Sequence, residues 1–260
     1  MGHGQGSQEA LEAELAELLP ARHLVVLLDY DGTLVPHAEA PDLALPDAEL
    51  LGLLGRLAAR RNTEVHIVSG RTAGFLDRAL DGIPVFLHAE HGAFSRKPGG
   101  QRWSRRTVPS AEWQAQVLPL LADFARRTPG ALVEFKETAL AWHWRAADAM
   151  AGAQRATELG GQLEKRLLDL PVELLWGDHV LEIRPRGVHK GIISGSLAAS
   201  STGKRMLAAG NDRTDEDLFE ALSGSALTIV VGDRPSSARY RVPDVWTLRQ
   251  YLGRIADSAS

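Results

Sequence analysis

The chain contains no cysteine, which excludes disulfides, thiolate metal sites and a cysteine nucleophile. It has no basic excess either: 29 Lys and Arg stand against 33 Asp and Glu, a formal net charge of −4. With a pI near 6.1, this argues against nucleic acid as a partner, because nucleic-acid binders carry a positive surplus. No apolar run approaches the ~20 residues that a membrane helix needs, so no membrane partner is expected. The opening stretch MGHGQGSQEALEAELAELL lacks the basic-then-apolar order of a secretory signal, and its acidic residues are unlike a transit peptide. No internal repeat is visible. The one biased tract is Gly-rich residues 1–7, expected to be disordered. A cytoplasmic, monomeric protein is the expectation.

What is present is ordinary globular material: 260 residues, 44% hydrophobic and 24% charged. That length holds one large domain or two modest ones. The organising stretch is HLVVLLDYDGTLV, from His23 to Val35. A continuous apolar run, Leu24 to Leu28, ends in Asp29, Tyr30, Asp31, Gly32 and Thr33. Such a run reads as a strand buried on both faces of a parallel sheet. Ligands of such sheets sit at the strands' carboxyl ends. Asp29 and Asp31, two residues apart on extended chain, can address one site. Two carboxylates that close are costly unless a cation or a shared proton relieves them. The plainer alternative is a strand leaving its sheet through an Asp-Gly turn.

Along the chain, leucine spacing predicts helices over 9–19 and 47–60, and strands over 24–28, 63–68 and 85–89, with a helix over 72–80 between the last two. This β-α-β-α-β order is the signature of a doubly wound parallel sheet. The texture then changes. A hairpin is expected around Pro98-Gly99-Gly100 and a helix over 109–127. Paired strands follow at 131–136 and 139–145, then a helix over 149–168, then strands at 172–175 and 180–184. That order suggests a small α+β unit with a one-faced antiparallel sheet. Five of the six tryptophans lie between Trp103 and Trp176, and filling the core under that sheet is their expected role, with sugar stacking the alternative. The α/β texture resumes with a helix opening at His189-Lys190-Gly191, a strand at 205–209, a helix over 214–222, a strand at 227–231 and a last helix to about Ile255. The resulting plan is an α/β core in two parts, 1–105 and 187–260, interrupted by an inserted α+β cap at 106–186, with hinges at 104–110 and 184–188.

Four strand ends or helix starts present polar groups suited to phosphoryl transfer. These are Asp29 and Asp31; Ser69 with the turn at Gly70; Lys190; and Asn211, Asp212 and Asp215. In a parallel sheet they fall along one edge, so sequence distance is no obstacle. The chemistry asks for a nucleophile, an acid/base, a neutralising cation and fixed donors to phosphate oxygens. Carboxylates without a cysteine or histidine cluster suggest a hard, oxygen-liganded ion such as Mg²⁺.

The set DYDGT, VSGR, HKG and GNDRTDE resembles the four signature motifs of the haloacid dehalogenase superfamily of phosphatases. More narrowly, LLDYDGTL, VEFKETALAWHWR, LEIRPRGVHKG and GNDRTDEDLF resemble the trehalose-6-phosphate phosphatases, over about Leu24 to Val245. The resemblance implies a Rossmann-like core with an α/β cap, Mg²⁺ as cofactor and trehalose 6-phosphate as substrate. It implies Asp29 as nucleophile and Asp31 as the acid that protonates the leaving sugar oxygen and then the base that activates water. That double duty requires Asp31 to start protonated. Ser69 would bond a phosphate oxygen and Lys190 would neutralise charge. Mg²⁺ would sit among Asp29, the Asp31 carbonyl and the 211–215 loop, where Asn211 stands in place of the Asp of many relatives. In the cap, Glu134, Lys136 and Glu182 would grip sugar hydroxyls, and Arg184 or Arg145 could reach the site. Gly70, Arg71 and His91 would border the substrate, Arg71 facing a phosphate or carboxylate at a helix start. His143 is packing or ligand. The resemblance also implies a functional link to a trehalose-phosphate synthase. The alternatives are another sugar phosphate, such as sucrose phosphate or a glycosyl phosphoglycerate, and a catalytically silent sugar-phosphate-binding domain. A Ca²⁺-binding structural module is weaker, because DYDGT lacks the downstream Glu of an EF-hand loop.

Overall fold

The computed structural model describes residues 6–38, 41–200, 203–222, 224 and 226–258. The chain divides into two compact units. One comprises the chain up to His37, Ala44–Arg105 and His189 onward; the other comprises Arg106–Val188 together with the short segment Ala38–Leu43.

The first unit is built on β1 (Leu24–Leu28), all five of whose residues are buried. A strand apolar at every position must be covered on both faces. β1 pairs in parallel with β2 (Thr63–Val68) on one side and β10 (Arg205–Gly210) on the other. The sheet continues to β3 (Phe86–Ala89), β4 (Phe94–Arg96) and β5 (Ser104–Arg105) in one direction, and to β11 (Leu227–Val231) and β12 (Tyr240–Val242) in the other. The six strands from β12 to β3 are parallel, and β4 and β5 close the other edge as antiparallel strands around the expected hairpin. Helices α6 (Gly191–Ser200) and α7 (Arg213–Ala221) pack together, and Ile193, Leu218 and Phe219 form a cluster with Val25, Leu27, Ala208 and Val230. Val26 and Leu28 alternate to the opposite face. Helix α2 (Ala48–Ala59) packs against β2 and against α8 (Val245–Ala256). Strand order β2–β1–β10 makes β1 the place where the winding reverses, and its carboxyl end is where such sheets present ligands.

Capping residues fix the ends of these helices. Asp47 accepts from Leu50 N at 2.7 Å and Thr72 from Phe75 N at 3.3 Å, opening α2 and α3 (Ala73–Ala79). Each replaces a water bond at an otherwise orphaned N–H. Ser7 does the same for α1 (Gln8–Leu18), and Gly6 N donates to Arg239 O at 2.8 Å. The expected disorder of residues 1–7 therefore fails at Gly6 and Ser7; residues 1–5 lie outside the described residues.

The second unit carries the sheet β6-β7-β9-β8, antiparallel throughout: β6 (Leu132–Phe135), β7 (Leu140–His143), β8 (Val172–Gly177) and β9 (Val180–Pro185). Alternate residues Leu140, Trp142, Leu181 and Ile183 face α4 (Trp113–Arg127) and α5 (Ala149–Arg166) and build one core with Val117, Leu121, Phe124, Leu159 and Leu163. Helix α4 starts at Trp113, four residues later than its pattern predicts. Trp113 and Trp142 are buried in this core and Trp144 packs against it. Trp176 is half-exposed and lies over Gly160. Trp103 departs from the expected role. It belongs to the first unit, where its indole N–H donates to the Asp77 carboxylate at 2.9 Å. Among the described residues no helix is long and apolar enough to cross a membrane.

Candidate active site

The carboxyl ends of β1, β2 and β10 gather the first group of expected residues. Asp29 follows β1 and its N–H donates to Ala209 O at 3.0 Å, which ties it to the neighbouring strand. Its Oδ1 accepts from Lys190 Nζ at 2.5 Å and its Oδ2 from the Thr33 hydroxyl at 3.0 Å. Lys190, just before α6, also donates to Asp215 Oδ1 at 2.7 Å. Asp215 is fully buried, and its Oδ2 accepts from the N–H groups of Asn211 and Asp212, both at 2.9 Å. One ammonium thus lies between two buried carboxylates.

Burial works against the Lys190 charge, but Asp215 and Asp29 outweigh it and hold its pKa above the usual lysine value. Asp29 is pushed up to about 7, chiefly by burial, with Lys190 opposing and Asp215 reinforcing the shift. Both directions hold at once because two carboxylates share a single cation. The cluster carries one excess negative charge when all three groups are ionised, and it gains by taking up a proton or a second cation.

Asp31 is placed differently. Its carboxylate accepts from Arg71 Nε at 2.7 Å and Nη2 at 2.5 Å. The expectation that Asp31 rests protonated therefore meets a bidentate ion pair, the geometry of a carboxylate accepting at both oxygens. Arg71 has the carboxylate partner that its place before α3 suggests, and its guanidinium lies 4.4 Å from the Phe75 ring centroid. Ser69 is buried, and its hydroxyl accepts from Arg71 N at 3.1 Å. His91 is buried with φ 58°, next to Glu90 at φ 46°. Left-handed backbone is rare outside glycine. Here it lays the imidazole on Gly70, where an added Cβ would stand 2.9 Å from the ring. Gly70 is thus required by close approach.

Of the three loop candidates for a metal, Asp215 is committed to Lys190 and two backbone N–H groups. Asp212 caps α7, accepting from Arg213 N at 2.6 Å, and burial raises its carboxyl pKa. Asn211 is the one turned toward Asp29. One end of its amide lies 2.6 Å from Asp31 O and 3.1 Å from Asp29 Oδ2; these acceptors call for the amide nitrogen there, with Oδ1 accepting from His37 Nε2 at 3.1 Å. A carboxylate, a backbone carbonyl and a side-chain amide offer the oxygen donors that Mg²⁺ takes, so the residues present fit it by donor chemistry. Among the described residues no three His, Asp or Glu side chains converge on a metal; the donors here are one carboxylate, one amide and one backbone carbonyl.

Thr33 and His37 were given no role by the sequence. Thr33 lay within the motif as a hydroxyl four residues past Asp29, a spacing that would have flagged it. His37, whose Nε2 is 3.1 Å from the Asn211 amide, carries no sequence signal.

The second unit gathers the rest. Glu134, Ala141 and Glu182 stand in register across β6, β7 and β9, on the face opposite the Trp142 core. Lys136 Nζ donates to Glu182 Oε1 at 2.8 Å and lies 3.9 Å from Glu134 Oε2. His143 Nε2 is 2.8 Å from the same Glu134 oxygen, which makes it a polar partner and not packing. Burial works to raise the Glu134 carboxyl, but Lys136 and His143 outweigh it and hold it below the ordinary range. Arg184 donates to Glu173 at 2.7 Å, and Arg145 is turned to Asp178 at 2.7 Å, so neither joins this group through those bonds.

The family model described as trehalose-phosphatase matches residues 27–245. The bifunctional trehalose-6-phosphate synthase/phosphatase of Thermoproteus tenax is 40% identical over 249 residues, covering 96% of this chain and 34% of that protein. The chain thus spans about a third of that relative's length. The solved C-terminal domain of Candida albicans trehalose-6-phosphate phosphatase superposes with a TM-score of 0.92 at 27% identity, covering 99% of this chain and 100% of that one. A haloacid dehalogenase-like hydrolase from Bacteroides thetaiotaomicron, 14% identical with a TM-score of 0.63 over 90% of this chain and 99% of that one, shares the fold. The chain has a haloacid dehalogenase-like α/β fold and belongs to the trehalose-phosphatase family.

Proposed function

We propose that this protein is a Mg²⁺-dependent phosphatase that hydrolyses trehalose 6-phosphate to trehalose and phosphate through an aspartyl phosphate on Asp29. The observation that carries the reading is the buried Asp29–Lys190–Asp215 cluster at the β1 edge, one positive charge short of neutrality. In the first step an Asp29 oxygen attacks phosphorus, the bond from phosphorus to the sugar oxygen breaks, and Asp31 gives that oxygen its proton. In the second, Asp31 takes a proton from water, the resulting hydroxide attacks phosphorus, and phosphate leaves as the Asp29 carboxylate is restored. The Asp31–Arg71 pair gives this sequence a beginning. An arriving phosphate dianion competes for Arg71, and once that pair opens Asp31 takes up from water the proton it passes to the sugar oxygen. Ser69 and the backbone around Gly70 bind phosphate oxygens, with His91 at their side, while Lys190 steadies charge on nucleophile and phosphoryl group.

Asn211 Oδ1, Asp31 O and Asp29 are the groups assigned to Mg²⁺, with Asp212 and Asp215 supporting the loop. When bound, the ion supplies charge neutralisation that lets two anions approach. The second unit is read as a cap inserted near 106–186, with Glu134, Lys136 and Glu182 assigned to sugar hydroxyls and Arg184 held beside them by Glu173. The name of the Thermoproteus tenax relative joins synthase and phosphatase, which supports a functional link of this chain to a trehalose-phosphate synthase. Rapid quenching during turnover of phosphorus-labelled substrate tests the mechanism. Label should be recovered on Asp29 as a hydroxylamine-sensitive acyl phosphate, and label on no residue, with turnover intact, would sink it.

A further inference from the structure

The amino ends of β1 and β2 lie at the opposite edge of the sheet from Asp29 and Ser69. There Arg22 and His23 lead into β1, and Arg61 and Asn62 lead into β2, all four exposed. These four residues line a cavity of about 380 Å³, within the size range of small-molecule sites. The backbone holds them together: Leu24 N donates to Asn62 O at 3.1 Å, and Arg205 N donates to His23 O at 3.0 Å. Asn62 takes left-handed backbone, φ 54°, to turn the chain from α2 into β2. Buried Arg60 ties the two turns, donating to Leu19 O at 2.7 Å, Ala21 O at 3.1 Å and the Thr63 hydroxyl at 3.1 Å.

Charge at this edge is uncompensated. Lys204 is taken by Glu64 at 2.5 Å, Arg205 by Glu17 at 2.7 Å and Arg56 by Asp257 at 3.1 Å. The side chains of Arg22 and Arg61 have no carboxylate or hydrogen-bond partner among the described residues. Arg60 donates only to neutral oxygens, and its Nε is buried without a partner. Three guanidinium charges thus stand together unneutralised in a chain of formal net charge −4.

We propose that this edge is a second ligand site, separate from the active site, that takes a small phosphoryl-bearing molecule. At ~3.3 Å per residue of extended chain, His23 lies roughly 20 Å from Asp29, so one small ligand does not reach both. Planar guanidinium forks meet phosphoryl oxygens two at a time and keep their charge at every working pH. Two such forks match a group of two negative charges better than a monocarboxylate, which neutralises one. The imidazole and the side-chain amide beside them can donate to further oxygens.

The test follows the His23 ring by NMR in full-length protein with EDTA present, as methylenediphosphonate, a diphosphate mimic that resists hydrolysis, is added. His23→Asn identifies the signal. The ring signals should move saturably. Arg22→Gln and Arg61→Gln should each weaken binding about tenfold, as the loss of one charge-assisted contact implies, while leaving circular dichroism unchanged. Acetate and sodium chloride at matched ionic strength should produce no saturable movement. Signals that stay still, that respond equally to chloride, or that titrate unchanged in Arg22→Gln/Arg61→Gln would overturn the site. Anion bound at the active site alone leaves the His23 ring unmoved, so the two sites are told apart.

Discussion

Lys190 in the first unit and Lys136 in the second are each buried between two carboxylates, at 2% and 7% exposure. Their partners respond in opposite directions. Asp29, its side chain 7% exposed, has a raised pKa because burial wins; Glu134, 21% exposed and also bonded to His143, has a lowered one because its partners win. The difference lies in depth and in the neighbouring groups: Asp215 reinforces the rise at Asp29, whereas Lys136 and His143 together lower Glu134. On the function proposed above, the deeper cluster, one cation short, receives a metal and a phosphate, and the shallower one, whose acid is already held by its partners, meets neutral hydroxyls, which need fixed acceptors and donors but no change of charge.

Five predictions break or sharpen that contrast. The largest concerns chemistry: Asp29→Asn should lower turnover by roughly 10⁴-fold or more, measured as phosphate release from trehalose 6-phosphate. Next, Lys190→Met strands two carboxylates in the interior and should cost about 3–5 kcal/mol in urea unfolding. A loss near zero would mean the cluster does not hold its charges as described. Lys136→Met should act on recognition, raising KM about 10- to 100-fold while kcat falls less; a collapse of kcat at unchanged KM would move Lys136 out of that role.

The smallest effects are in pH. Asp29, raised to about 7 in the folded state, binds a proton more tightly there than in the unfolded chain. Its stabilising contribution is present below the ordinary carboxylate range and is lost as pH rises through about 7. In EDTA, Asp29→Asn should therefore gain on wild type as pH rises over that window, and Mg²⁺ should remove the gain. Glu134, lowered, contributes above the ordinary carboxylate range and loses that contribution as pH falls below it. The deficit of Glu134→Gln should shrink on acidification.

The sequence carried much of this fold because a parallel strand buried on both faces writes itself as an apolar run, unbroken at Leu24–Leu28 and interrupted by polar residues at Thr63–Val68 and Leu227–Val231; all three have the bounds predicted. Tyr240–Val242 was not legible: three residues with Arg241 in the middle show no period. The association of Ala38–Leu43 with the second unit was equally hidden, since a proline-rich connection carries no pattern for what it packs against. Motif residues identified the site, but not their partners. That Asp31 would pair with Arg71, Asp215 with Lys190, and Asn211 with His37 depends on contacts 174 residues apart in the last case. Trp103 shows the same limit, because its indole found Asp77 and not the small sheet.

The central claim is tested most directly by phosphate release from a panel of sugar phosphates, with Mg²⁺ or EDTA, for wild type and Asp29→Asn. The account predicts marked selectivity for trehalose 6-phosphate, lost in EDTA and lost in Asp29→Asn. Turnover that survives the loss of the Asp29 carboxylate would contradict it.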